Sequence, residues 1–436
     1  MLAPPGHGCW DGRVTAQKNE TAAAVEAVFR MESARIIATV TRVVRDVGMA
    51  EELAQDALIS ALEQWPREGV PDNPAGWLMT AARRKAIDLV RRKETYARKL
   101  AEVGRSLEDV PPPEPADPDD IDDDLLRLIF TACHPVLSAK ARIALTLRLI
   151  GGLTTEEIAR ALLTTEATVA QRIVRAKRTL AKADVPYEVP AAEERPARLA
   201  SVLEVIYLIF NEGYSATAGE DLLRPALCED GLRIARVLAA LMPAEPEAHG
   251  LAALLEFQAS RLPARTGPDG APVLLADQNR TRWNRLLIRR GVEAMQRAGT
   301  GPYSVQAAIA MCHAQALRYE DTDWQSIAAL YGRLAALTSS AVVELNRAVA
   351  VSMAEGPAQA LKLVDALADE EALNGYHLLP SVRGDLLERL GRTDEARTEF
   401  ECAASLTRNA RERELLLTRA RDLGVVRTEA AEGPDL

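Results

Sequence analysis

The sequence predicts an all-α protein, with two small helical domains followed by a much larger helical one. Hydrophobic residues make up 48% of the chain but aromatics only 4%, so its cores rest on Leu, Ala, Val and Ile. That composition favours helices over a strand-rich sandwich. Apolar residues also recur at helical spacing, most clearly at Leu53, Ala57, Leu58, Ala61, Leu62 and Trp65. The length of 436 residues suits three domains, at roughly 150 residues each.

Residues 1–19 read as a disordered leader with no apolar core of the signal-peptide kind. Residues 20–104 form the first helical block. Within it, Asn73 before Pro74 reads as an N-cap followed by proline at the first helical position. The next stretch, WLMTAARRKAIDLVRRK (77–93), holds six Lys or Arg and one acidic residue, in a chain whose formal charge is -10. On a helical wheel Leu78, Ala82, Ala86 and Leu89 share one side, which should face the core. Thr80, Arg84, Asp88 and Arg91 point elsewhere, flanked by Arg83, Lys85, Arg92 and Lys93. Several cations along one helix suit the phosphates of a nucleic acid. Trp77 reads as a core anchor rather than a stacking platform.

Residues 105–124 carry nine acidic residues and five prolines, which reads as a solvated linker. A second helical block follows at 125–184. In TTEEIARALLTTEATVAQRIVRAKRTL (154–180), Thr155 can cap a helix running from Glu156 to Leu162. A turn at Leu163–Thr165 leads to a second helix from about Glu166. Val169, Ile173, Ala176 and Leu180 then share a face, and Thr168, Gln171, Arg175 and Arg178 lie on the opposite side. A helix-turn-helix needs this division: one face anchored, the other free for a major groove, where Arg can take guanine and Gln adenine. Two basic helices on either side of an acidic linker suggest two DNA elements at a set distance.

The last block is helical from 190 to about 423, with 190–300 as a distinct extension and 301–423 weakly repetitive. Ala348, Ala360 and Val364 recur, 36 residues on, as Gly384, Ala396 and Phe400. The stretch 384–406 resembles a tetratricopeptide repeat, with Gly384, Leu387, Gly391, Ala396, Phe400 and Ala403 at its small and large apolar positions. The large domain is therefore expected to be a partly tetratricopeptide-like solenoid.

Other chemistry finds little support. No apolar run approaches the roughly 18 residues that span a membrane. Cys9, Cys133, Cys228, Cys312 and Cys402 are too scattered for a disulfide framework or a zinc site, and read as small buried hydrophobes in a reducing cytoplasm. No phosphate loop is present, and the five histidines form no triad or metal pattern. The expectation is a cytoplasmic protein that is no enzyme and needs no cofactor or metal.

Three stretches in this order, AEELAQDALISALEQW, NPAGWLMTAARRKAIDLVRRK and the helix-turn-helix, resemble the extracytoplasmic-function (ECF) sigma factors of the sigma-70 family over about 20–184. The extension with NEGYSAT (211–217) and DQNRTRW resembles the subgroup with a long C-terminal domain ending in tetratricopeptide-like repeats. The resemblance implies a subunit that directs core RNA polymerase to specific promoters. It assigns Glu52, Gln55, Asp56 and Leu58 to the polymerase β′ subunit, with β as the further core contact. Asn73, Thr80, Arg83, Arg84, Arg91 and Arg92 would meet the -10 element, and Thr168, Gln171, Arg172, Arg175 and Arg178 the -35 element. Arg84 stands where many members have Asn, and Ala170 and Val174 replace larger residues. The acidic linker would run through the RNA exit path, and the solenoid would regulate or hold a peptide or protein partner. Two rivals are a stand-alone helix-turn-helix regulator with a repeat sensor, and an enzyme in the C-terminal half.

Overall fold

The computed structural model describes residues 11–101, 118–162, 164–214, 223–267 and 271–431. Leu163 of the expected turn, Cys9, residues 105–117 of the acidic stretch and 215–217 of NEGYSAT lie outside them. Among the described residues the fold is helical, apart from one isolated bridge between Thr266 and Pro272. No described helix is long and apolar enough to cross a membrane. The chain forms two compact units that divide between Val205 and Ile206.

The first unit opens with three helices: α1 (Asp11–Val44), α2 (Val47–Glu68) and α3 (Pro74–Ala101). Each packs on the other two. Helix α1 begins well inside the expected leader, so residues 11–19 are helical. Most of the predicted stripes face inward: Leu53, Ala57, Ala61 and Trp65 are buried on α2, and Leu78, Ala82 and Ala86 on α3, while Leu58, Leu62 and Leu89 at their edges are half-buried. Trp77, expected to be a core anchor, is half-buried and packs edge to face on the buried Trp65, with ring centroids 5.5 Å apart.

Four more helices complete this unit: α4 (Pro118–Ala132), α5 (Ala139–Leu149), α6 (Thr155–Ala161) and α7 (Glu166–Lys182). The expected linker therefore ends early, because residues 118–124 form the first turns of α4. Asp124 is not solvated at all; it is 0% exposed. Arg42 on α1 lies 3.3 Å from its carboxylate and Arg127, one turn on, lies 2.8 Å away. Two guanidinium groups offset the cost of burying that charge. A bend at Gly151 and Gly152 joins α5 to α6, with Gly152 at φ 70°, where a side chain would be strained.

Helix α8 (Arg195–Tyr214) spans the division between the units. Its first half belongs to the first unit: Arg198 donates to the Phe130 carbonyl at 3.1 Å and Ser201 to the Cys133 carbonyl at 2.7 Å. The boundary expected near 190 thus lies some fifteen residues further on, inside a helix.

The second unit continues with α9 (Pro225–Leu241), α10 (Pro246–Ser260), α11 (Arg285–Met295) and α12 (Pro302–Gln315). Helix α10 is apolar almost all round and packs on α9, α11 and α12. Then come α13 (Trp324–Thr338), α14 (Ala341–Ala354), α15 (Pro357–Asp365), α16 (Leu378–Arg389), α17 (Thr393–Leu406) and α18 (Ala410–Ala431). Each of these packs on the next. The residues of the 36-residue repeat meet inside: Ala348, Ala360, Val364, Ala396 and Phe400 belong to one buried cluster. A Cβ added at Gly384 would sit 2.9 Å from the Phe400 ring, so α16 approaches α17 closely only because that position is glycine. The cysteines are less uniform than expected: Cys133 and Cys228 are buried, Cys312 is half-buried and Cys402 is exposed.

Candidate nucleic-acid interface

Helix α3 starts where Asn73 caps it, accepting from the Gly76 backbone N–H at 2.9 Å. With Leu78, Ala82 and Ala86 inward, the opposite side chains must face out. Asn73, Thr80, Arg84, Arg91 and Arg92 are all exposed, and Arg83 is half-buried. Thr80, Arg84, Asp88 and Arg91 form one stripe, since these spacings return to nearly the same angle. The Thr80 hydroxyl donates to the Gly76 carbonyl one turn back, at 2.8 Å.

The helix-turn-helix is built by local capping. Thr154, not Thr155, caps α6: its hydroxyl accepts from the Glu157 N–H, and the Glu157 carboxylate accepts from the Thr154 N–H. This reciprocal box needs Glu three residues after the cap, which selects the first of two adjacent threonines. Thr165 caps α7 by accepting from the Thr168 N–H. Val169, Ile173, Ala176 and Leu180 are buried, as the periodicity required. Gln171, Arg175 and Arg178 are exposed, while Thr168 and Arg172 are half-buried. Val174 lies among them at 45% exposure. In the sequence it stands out only as a departure from the family; in the fold it is an exposed apolar side chain beside Gln171 and Arg175, the chemistry that suits a thymine methyl group.

One carboxylate joins the two helical sets of this unit. Glu51 on α2, 7% exposed, accepts from Arg148 Nε on α5 at 2.5 Å and from Lys177 Nζ on α7. Burial pushes this carboxyl up. The Lys177 ammonium and the Arg148 guanidinium outweigh that effect and hold it below the ordinary carboxylate value. Tyr187, just past α7, places its hydroxyl 2.9 Å from the carbonyls of both Ala38 and Asp124. The side of α7 away from Gln171 and Arg175 is thus tied to α2.

Comparison with known proteins bears on this unit directly. The profile of sigma-70 region 2 matches residues 28–96, and that of sigma-70 region 4 matches 127–180. The ECF RNA polymerase sigma factor SigK of Mycobacterium sp. (strain KMS) is 32% identical over 154 residues, 34% of this chain and 77% of that protein. The chain belongs to the sigma-70 family of RNA polymerase sigma factors. SigK of Mycolicibacterium vanbaalenii agrees, at 31% identity over 39% of this chain and 85% of its own. An uncharacterized protein of Rhizobium meliloti (strain 1021) is 46% identical over 380 residues, covering 85% of this chain and 89% of the relative. Residues 198–299 match a family of unknown function (DUF6596). Yeast Tom70 aligns with 96% of the chain and 87% of its own, but at 12% identity and a TM-score of 0.30, too low to read a shared architecture.

In this sigma factor, region 2 covers the second half of α1, all of α2 and most of α3, and region 4 runs from the last turns of α4 to near the end of α7. On α2, Glu52 and Asp56 are exposed, while Gln55 and Leu58 are half-buried. Gln55 is partly engaged, donating to Glu51 at 3.4 Å. Ile59, one turn beyond Asp56 and two beyond Glu52, is 51% exposed. Sequence reading passed over it, although an isoleucine outside the Leu53–Ala57–Ala61 stripe was the available signal.

Proposed function

We propose that this chain is an ECF-type sigma factor that binds core RNA polymerase and directs it to promoters with two separated elements. Region 4 reads the upstream -35 element through α7, with Gln171, Arg172 and Arg175 at base edges and Thr168 and Arg178 at the backbone. Region 2 meets the -10 element through α3, with Asn73 and Thr80 at the helix start and Arg83, Arg84, Arg91 and Arg92 along it. The exposed edge of α2, with Glu52, Gln55, Asp56 and Leu58, faces the polymerase β′ subunit, and β completes the core contact. The sigma factor forms no bond itself; the polymerase does the chemistry, in the cytoplasm. The second unit, with helices paired in the manner of tetratricopeptide repeats, regulates this activity or engages a protein partner.

One observation carries the reading: two cationic helix faces, on α3 and α7, each backed by a buried apolar stripe, occur in a single unit of an otherwise acidic chain. The test is reconstitution with purified core polymerase and mapping of transcript starts on genomic DNA. Discrete starts that need both proteins are expected. DNA binding without polymerase and without starts would favour a stand-alone regulator instead.

A further inference from the structure

The second unit contains a cavity that the promoter reading does not use. It lies among α8, α10, α12, α13 and α14 and measures about 390 Å³, within the roughly 300–1,000 Å³ typical of small-molecule sites. Much of its wall is apolar, from the cluster of Ile309, Ile327, Leu334 and Ala350. Rings face it as well: Tyr207, Trp324, Tyr331 and His313.

Its polar groups are incompletely satisfied. Gln258 Oε1 and His313 Nδ1 are buried and have no hydrogen-bond partner. Buried polar atoms are nearly always paired, so two orphans on one cavity wall call for a partner. The cavity is also cationic at one end. Arg261 lines it, and Arg280 lies close by against the same Trp283 ring, their guanidinium carbons 5.2 and 5.0 Å from its centroid. Among the described residues neither pairs with a carboxylate. Arg280 donates to the His313 and Ala316 carbonyls and to Thr322, whereas Arg261 makes only 3.4 Å contacts to Gln278. Asp321, near Arg280, is held in a two-pronged pair by Arg318. Burial, with the charges of Arg261 and Arg280, drives the His313 pKa down to about 3. The ring is thus neutral near pH 7, and its bare nitrogen can accept a proton donor.

Gln258 lies in the last turn of α10 and Arg261 caps its C-terminus three residues on, still in αR backbone, so the two side chains leave the helix end about one turn apart on the same side. A carboxylate on Arg261 therefore places the next carbon of a ligand beside the acceptor of Gln258. We propose that this cavity binds a small aromatic 2-hydroxy carboxylic acid. The carboxylate pairs with Arg261, the neighbouring hydroxyl donates to Gln258 Oε1 or His313 Nδ1, and the ring packs among Tyr207, Trp324 and Tyr331. The extension of the sigma factor is then a metabolite-binding unit.

Titration calorimetry on the full chain tests this with 3-phenyllactate and indole-3-lactate as probes. Each acid has two controls: 3-phenylpropionate or indole-3-propionate, which lacks the hydroxyl, and 3-phenyllactamide or indole-3-lactamide, which lacks the charge. At least one acid should bind with a Kd below about 1 mM, and each control to the acid that binds should be about tenfold weaker or more. Arg261→Gln should weaken binding about tenfold or more. Ala310→Phe, which fills the cavity, should abolish it, with circular dichroism checking that each variant folds. No binding of either acid, equal binding of acid and amide, or wild-type binding by a folded variant would each overturn the proposal. If neither variant folds, the comparison of acid, propionate and amide on the wild-type chain decides alone. The assay contains no polymerase or DNA, so failure here leaves the promoter reading untouched.

Discussion

At the scale of single residues, Glu51 ties the two helical sets of the first unit together. It is the only group in the Glu51–Arg148–Lys177 cluster that carries negative charge, and from α2 it bonds to two further helices, α5 and α7. Glu51→Ala removes charge-assisted hydrogen bonds worth about 1.5–3 kcal/mol each, and should speed amide hydrogen exchange in α7 before that in α3. The pH dependence has a definite sign. The carboxyl's folded pKa lies below its ordinary value of 4.5, so its contribution is present above that value and lost as pH falls through the lowered one. Exchange from α7 should therefore be insensitive to pH near neutrality, once intrinsic rates are corrected, and accelerate only under acid. The reading residues divide by the kind of contact they can make. On the proposed reading Arg175 sits at a base edge, and Arg175→Ala should then cost about 1–3 kcal/mol of discrimination at one position. On the same reading Arg91 meets phosphate, and Arg91→Ala should weaken binding on all sequences alike and lower the slope of log K against log salt by about 1. Binding of the polymerase complex to promoter variants at several salt concentrations separates the two.

At the scale of elements, what the sequence made legible followed from local periodicity. The buried stripes of α3 and α7 were readable because a 3.6-residue repeat shows within one segment. So were Asn73 as a cap and the packing of Ala348, Ala360, Ala396 and Phe400. Thr154 was displaced by its neighbour because either threonine can cap, and only the reciprocal bond to Glu157 chooses. What was not legible depended on distant chain. The acid-rich run 118–124 looked like solvated linker because nothing near it in sequence announces Arg42, which lies across the unit on α1. Glu51 carries no signal of its own in the sequence, since its partners come 97 and 126 residues later. The cavity of the second unit draws its walls from five helices, and no single stretch carries its pattern. Thr154→Ala should cost about 1 kcal/mol through loss of the cap. Gly384→Leu would drive a branched side chain into the Phe400 ring, and thermal unfolding should show a loss of about 1–3 kcal/mol or more.

At the scale of the whole molecule, charge is segregated rather than spread. The chain is acidic overall, yet cations gather on outward faces of α3 and α7 over apolar backs. That arrangement holds a polyanion at chosen places and disfavours general adhesion to it. The division between units also sets where the chain can be cut. A truncation at 190 strips Arg198 and Ser201 from their carbonyl partners on the first unit, and should lower its stability whatever the second unit does. Ending the chain after Val205 keeps those bonds and isolates the contribution of the second unit to transcription. Comparing the two truncations by circular dichroism and run-off output should show the shorter one less stable.

The most direct measurement is run-off transcription with core polymerase on a mapped promoter, with each element mutated in turn. Wild-type protein should lose output when either element is changed. A Gln171→Ala/Arg175→Ala double variant should still bind core polymerase and still respond to the downstream element, but become indifferent to substitutions upstream. If that variant discriminates upstream sequences as the wild type does, the exposed face of α7 is not the reader, and the two-handed grip on the promoter is wrong.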